Sequence, residues 1–532
     1  MIIRSLTLAA LTVGIAFSLP VNAGDFLSPA LAERLGMTEA WHRQVGAIGG
    51  AEGIVDIQVW VNKSVQYEYV EVVLKGTGDQ PTVLERFPTN RRRLDGREIG
   101  KPEAERLAKL SVLQLKRRGI EAEIRSVSVD QVRLHVLTSA GSLSAYDGET
   151  GDQLWSLRLG LPQLGYGTMG VNDQFVTFLN GTNLYQVAAM EGTVEDAAGL
   201  PVSLPAGRAL APVHVKRIPL FGVVNAGQKA VVVLNRSGME LHHLGDPNIE
   251  TGYDMFDGRA TTKPVGFPNS GKIMWPTEHG FVYAMDLRDT PVTMFRLPVD
   301  GVVEGGISAA SDDRYFFGST GGRVYAVRAT PSGEVLWNQS LGEPFYRAPF
   351  VSGDRLWISS SYGLLHCLSA ETGRPIWERP VSNIDQVFSH VGSRLVGRSR
   401  EHQLVVLDAV SGETLLRSHD FFVERWVVNQ DTDRVYLVGK GGMIQCLRPT
   451  ESEFPVFLRQ IVQASASPVA ADPKAGDKKT APVASPAQAD PFGGGADPAA
   501  DPFGGGEDPF GAPAPPDAAD PFGAAADPFG GN

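Results

Sequence analysis

Residues 140–155 read Ala140-Gly141-Ser142-Leu143-Ser144-Ala145-Tyr146-Asp147-Gly148-Glu149-Thr150-Gly151-Asp152-Gln153-Leu154-Trp155. A Gly turn opens a short apolar run, an Asp/Thr/Gly turn closes it, and a tryptophan follows. The phrase returns further on. Gly321-Gly322-Arg323-Val324-Tyr325-Ala326-Val327 leads through Gly333 to Trp337. Tyr362-Gly363-Leu364-Leu365-His366-Cys367-Leu368 leads through Thr372-Gly373 to Trp377. Leu404-Val405-Val406-Leu407 leads through Ser411-Gly412 to Leu416, and Gly441-Gly442-Met443-Ile444-Gln445-Cys446-Leu447 is the last copy. Weaker copies centre on Leu184–Val187, Met239–Leu241 and Phe281–Ala284. Aligning Asp147, Ala188, Gly245, Asp286, Arg328, Ser369, Asp408 and Arg448 gives a spacing of about 40 residues, with one longer gap between Ala188 and Gly245.

A fixed period of this size marks an array of supersecondary units. Within each unit, short β-rich runs are parted by Gly, Asn, Asp and Ser, without a helical stripe between them; this predicts antiparallel hairpins. One such sheet cannot bury both faces, but eight packed around an axis can. The expected fold is therefore mainly β, an eight-bladed β-propeller, whose closure leaves only short edges. Asp147, Gly151, Trp155, Gly333, Trp337, Gly373, Trp377 and Gly412 are its structural repeat positions: Gly accepts the positive φ of a tight turn, and Trp supplies apolar surface to the adjacent blade.

These residues resemble the quinoprotein, or PQQ-like, propeller repeat, roughly Ala-x-Asp-x-x-Thr-Gly-x-x-x-Trp, which Ala145–Trp155 matches at every named position. The copy from Ala326 to Trp337 is one residue longer before its Gly, and the copy from Cys367 puts Ser369 where the Asp belongs. The resemblance covers 119–459. It implies either a PQQ-dependent dehydrogenase, with a quinone and calcium over the axis, or a non-catalytic propeller of the BamB-like type. The enzyme form usually carries adjacent cysteines against its quinone, and here the two cysteines are Cys367 and Cys446, at equivalent positions two repeats apart. They read as small buried residues in tight strand positions. There is no Cys-x-x-Cys-His haem signature. His242 and His243 are strand neighbours that point to opposite faces and cannot share a metal. The Gly-rich phrases precede strands, so they build no phosphate cradle. The reading is a chain without catalytic residues, cofactor or metal.

Outward from the repeats, residues 1–23 carry the marks of a secretory signal: Arg4, the apolar run Leu6–Leu19, and Val21-Asn22-Ala23 before the cut. No cysteine follows the cut and no later segment is apolar enough to span a bilayer, so neither a lipid anchor nor a membrane span is expected. Residues 24–118 lack the repeat and read as a small α/β segment. Ser28 caps a helix that starts at Pro29 and leaves at Gly36. The alternating runs 55–59 and 65–69 suggest a hairpin turning at Asn62-Lys63. A second helix is predicted from about Lys101 to Arg118, with Glu103 and Glu105 in its first turn and Gly119 past its end. Twelve basic residues fall between Arg86 and Arg125, densest at Arg91-Arg92-Arg93; they read as a solvated surface rather than a polyanion site.

After Arg459 the composition turns to Ala, Pro, Gly and Asp. Residues 464–532 hold ten acidic and three basic residues, so −7 of the chain's net −12 lies there and −12 − (−7) = −5 in the rest. Such a segment, taken as 460–532, cannot bury enough apolar surface to fold alone. Asp-Pro-Phe-Gly recurs in it with Phe492, Phe503, Phe510, Phe522 and Phe529. One Phe contributes about 1.5–3 kcal/mol on burial. That is short of the roughly 4 kcal/mol of millimolar binding; five on one strand can add avidity. The functional expectation is an exported, monomeric, protein-binding scaffold of the periplasm or envelope, without nucleic-acid binding. The rival readings are the quinone dehydrogenase and a propeller that binds carbohydrate or wall polymer.

Overall fold

A computed structural model describes residues 26–75, 83–89, 99–195, 201–249, 251–268, 270–423, 425–450, 452 and 454–459. The chain divides into two units, 1–464 and 465–532. The leader, Arg91–Arg93 and all five Asp-Pro-Phe-Gly phrases lie outside the described residues.

The first unit is mainly β. Helix α1 (Pro29–Arg34) is capped by Ser28, whose hydroxyl accepts from Leu31 N, and Gly36 leaves at φ 62°. Strand β1 (Met37–Gln44) follows, then β2 (Ile54–Leu74), β3 (Val83–Pro88), helix α2 (Gly100–Arg117) and β4 (Ala122–Thr138). The strands 142–147 and 153–158 complete the first sheet. Further sheets succeed it in chain order, starting at 170, 219, 265, 307, 350, 386 and 425. The sheet that starts at 350 has three strands. Its fourth position is held only by the bridges Leu365–Val381 and Leu368–Pro375, because Pro375 and Pro380 lack the N–H a ladder needs. The long gap between Ala188 and Gly245 is filled by an extra hairpin, 192–195 with 201–204.

The core is divided in the same order. Separate apolar clusters join each sheet to the next. One more joins the last sheet to the first: Trp41, Tyr436 and Cys446 pack on Ile57, Val59 and Leu134.

Two expectations about 24–118 are corrected. The sequence puts the repeat array at 119–459, but β1 pairs antiparallel with Met443–Pro449 as the outer strand of the last sheet, and Ile54–Asn62 is the innermost strand of the first. The predicted hairpin at Asn62-Lys63 is absent. β2 runs straight through, pairing with β4 along its length and shifting register between Asn62 and Gln66. The turn-type residues build a bulge: Asn62 Oδ1 accepts from Ser64 N, while its amide donates to Asp173 O at 3.1 Å. Beyond the bulge the two strands continue into an arm, where β3 adds a third strand and α2 lies on one face through Ala104, Ala108, Val70 and Val72. On the arm, buried Glu71 takes Arg86 at 2.6 Å and Arg125 at 2.8 Å, so these two cations of the basic stretch are structural.

Candidate functional site

The repeat positions meet in pairs across neighbouring sheets. Trp155 faces Ala145 in the register of its own sheet, and its indole donates to Ala189 O in the next. Trp337 donates to Ala370 O at 3.0 Å and Trp377 to Val410 O at 3.0 Å. The turn glycine beneath each ring is a seat. A Cβ on Gly373 would meet Trp337 at 2.5 Å, on Gly412 it would meet Trp377 at 2.9 Å, and on Gly333 it would meet Phe295 at 2.7 Å. Asp147 fixes its turn by accepting from Glu149 N and Thr150 N, and Ser369 does the same for Glu371 and Thr372.

Gly151 seats Trp41, whose indole donates to Gly148 O at 2.9 Å. Trp41 faces Cys446 in register as Trp155 faces Ala145. It is therefore the tryptophan that the last repeat lacks. Sequence reading missed it because the motif is split, its two halves lying at opposite ends of the array. The available signal was Gly36 followed by Trp41, one residue wider than Gly151–Trp155.

The inner strands of every sheet converge on one cavity of about 360 Å³. Its walls are mostly apolar, with Gln58, Asn225, Ser308, Gln386 and the charged Lys263 interspersed. Strands within a sheet alternate in direction, so the chain's connections sort into two ends. The first-to-second and third-to-fourth strand links form one end. It carries the arm, α1, the hairpin 192–204 and the segment 454–459. Arg459 reaches into the cavity there, bonded to Gln430 Oε1 at 2.7 Å and paired with Asp431 at 3.3 Å.

The other end is formed by the hairpin turns between second and third strands and by the links between sheets. Ile48, Leu161, Ile218, Met255, Tyr346 and Tyr362 all lie in those loops and are exposed, Ile48 by 79% and Tyr362 by 63%. Two hollows open among them. A groove of about 300 Å³ runs past Tyr346, Arg347, Asp385 and Arg400, with Arg347 and Arg398 both on Asp385. A larger hollow of about 800 Å³ lies between the last and first sheets, bounded by Gly49–Glu52, Arg425, Trp426 and Lys440. The Arg398 guanidinium stacks on Trp426 at 3.7 Å, and Arg425 donates to the carbonyls of Ile54 and Val55.

Reactive chemistry is poorly provided for. Burial pushes the Cys367 thiol up to about 12 and holds Cys446 well above its ordinary value, so neither is a nucleophile near neutral pH. His242 is buried beside Glu240, 3.4 Å away, and burial lowers its pKa. Among the described residues no cluster of His, Cys, Asp or Glu is placed to hold a metal ion. The quinone and calcium of the enzyme reading need free carboxylates at the cavity. Among the described residues one acid lines it, Asp431, and it is taken by Arg459, so the described lining does not fit that pair.

Residues 267–387 and 320–503 match the family model described as outer membrane protein assembly factor BamB, which supports the PQQ-like character of the repeats there. BamB from Moraxella catarrhalis is similar in structure at 14% identity and TM-score 0.46, over 59% of this chain and 93% of that one. Sqt1 from Saccharomyces cerevisiae is similar at 8% identity and TM-score 0.43, over 59% and 92%. Chaetomium thermophilum Sqt1 bound to the N-terminus of the ribosomal protein L10 is similar at 12% identity and TM-score 0.41, over 59% and 93%. No curated protein matches the chain in sequence.

Proposed function

From the premise of a chain that carries the PQQ-like repeat, we propose a non-catalytic scaffold of the bacterial periplasm or envelope. It is a closed eight-bladed propeller that holds a protein partner on one end. Eight ring sheets in chain order, with an apolar cluster joining the last to the first, support the closed reading. The BamB description of the matching family supports the scaffold role, and the leader reading of 1–23 supports export.

The observation that carries the reading is the contrast between the two ends. One is occupied by the chain's own arm and by Arg459, with Ile249, Val410, Val428 and Val456 exposed on its loops; the other exposes a larger set, two tyrosines among them, around two hollows. Scattered exposed apolar residues are ordinary, but large ones gathered around open hollows support a binding surface. The Phe residues of the Asp-Pro-Phe-Gly phrases add a loose second contact by avidity.

Crosslinking in the native cell, with mass spectrometry of the captured species, tests both parts. Photo-reactive residues at Tyr346 and Tyr362 should capture a partner that residues on the arm-bearing end do not. Removing 460–532 should weaken capture while leaving the melting temperature of the repeat array in place. Capture only from the arm-bearing end, or none that depends on the rim, overturns the reading. Bound quinone with alcohol or sugar oxidation after adding PQQ and calcium would restore the enzyme.

A further inference from the structure

Among the described residues, helix α2 rests on the arm's sheet through Ala104 and Ala108, with Val112 and Leu115 packed beside them. The side chains it buries are small: Ala104, Ala108 and Ser111. Of its four leucines, Leu107 and Leu115 are partly buried, while Leu110 and Leu113 are exposed by 45% and 56%. At 3.6 residues per turn, Arg106, Lys109, Leu110, Leu113 and Arg117 fall on one stripe facing away from the sheet. Arg106 is tied to Glu103 at 2.8 Å; Lys109 and Arg117 make no ion pair among the described residues.

Residues 100–118 contain six basic and two acidic side chains, a net of +4, in a chain whose total is −12. An anionic surface would therefore repel most of the molecule and select this helix. The stripe is convex, and no cavity described above takes a residue from it. A protein ligand recognising two leucines needs a groove or presents one; a headgroup layer accepts a convex row of cations with leucines between them.

We propose that the outward stripe of α2 is an interfacial contact for a bilayer containing anionic phospholipid. Leu110 and Leu113 enter the boundary between headgroups and acyl chains. Arg106, Lys109 and Arg117 lie among the phosphates, and the arm holds the repeat array at the membrane surface without any span.

The test uses the full chain and phosphatidylcholine vesicles with or without phosphatidylglycerol, read by co-sedimentation. The wild type should sediment with the phosphatidylglycerol vesicles only, and less so as salt rises. Leu110→Ser with Leu113→Ser, and separately Lys109→Glu with Arg117→Glu, should each lower the partition coefficient about tenfold or more. These side chains are exposed, and an unchanged near-ultraviolet circular dichroism spectrum establishes that the variants keep their fold. Failure of the wild type to sediment overturns the proposal. So does binding that neither variant weakens. Recovery of a soluble acidic protein on the stripe, in place of vesicles, assigns the surface to that partner and also overturns it.

Discussion

Gly373 occupies a backbone conformation at φ 70° and also lies under the ring of Trp337. The two demands add. Gly353 has a similar φ of 60° but nothing within reach of an added methyl. Gly353→Ala is expected to cost about 1–2 kcal/mol for the left-handed backbone alone. Gly373→Ala should cost about 2–5 kcal/mol, because displacing the indole adds a packing penalty. Urea unfolding of both variants checks the difference; equal losses would remove the seat argument. His135 poses a different residue-scale problem. It is fully buried beside Arg133 and Trp155, neither ring nitrogen has a partner, and burial lowers its pKa from 6.5 to about 3. The unfolded chain takes up this proton near pH 6.5 and the folded chain does not. Its share of stability is thus complete above pH 6.5 and declines by about 1.4 kcal/mol per pH unit as pH falls toward 3. His135→Leu should make the acid limb of a stability–pH profile shallower by about one proton. At this scale the sequence was informative about the turns: Asp147, Gly151 and Trp155 lie together in one local phrase. It was silent on His135, which is buried against Trp155, two strands away in the same sheet, a burial that no local pattern announces.

Among the elements, β1 matters most to the seam between last and first sheets. Trp41→Ala would empty the seat over Gly151 and is expected to cost about 3–5 kcal/mol in equilibrium unfolding. Deleting 26–44 would also leave Met443–Pro449 as a bare edge, and the measurable result should be self-association on size exclusion. The same seam holds Arg434, fully buried, with Glu149 at 2.8 Å and Asp433 at 2.9 Å. Arg434→Met strands both carboxylates and should cost about 3–5 kcal/mol; adding Glu149→Gln should return part of that. Both helices were legible in the sequence because the Ser28 cap of α1, the charged ends of α2 and the Gly exits of both are local signals. Strand β2 was not. Alternation continues on both sides of Asn62-Lys63, and a bulge and a hairpin turn draw on the same residue types. The partner decides between them, and that partner, β4, lies beyond α2.

For the whole molecule, the period in the sequence was enough to place successive sheets, since each repeat is a local hairpin pair. Which end binds was not legible. Ile48, Leu161, Ile218, Met255, Tyr346 and Tyr362 are isolated in sequence and acquire a common position only when strand direction sorts the loops. If the rim is the partner surface, Tyr346→Ser with Tyr362→Ser should reduce partner capture in a pull-down while the thermal midpoint holds. A fall in both together would mean the tyrosines serve the fold. Finally, the pairing of Met37–Gln44 with Met443–Pro449 sets an order of events. Strand β1 has its ladder partner some four hundred residues downstream, so it must stay unpaired and soluble until residues 443–449 have been made. Intermediate sheets can zip locally, but the final docking must close a very long loop, and it is the step at which a holding chaperone would have most to do.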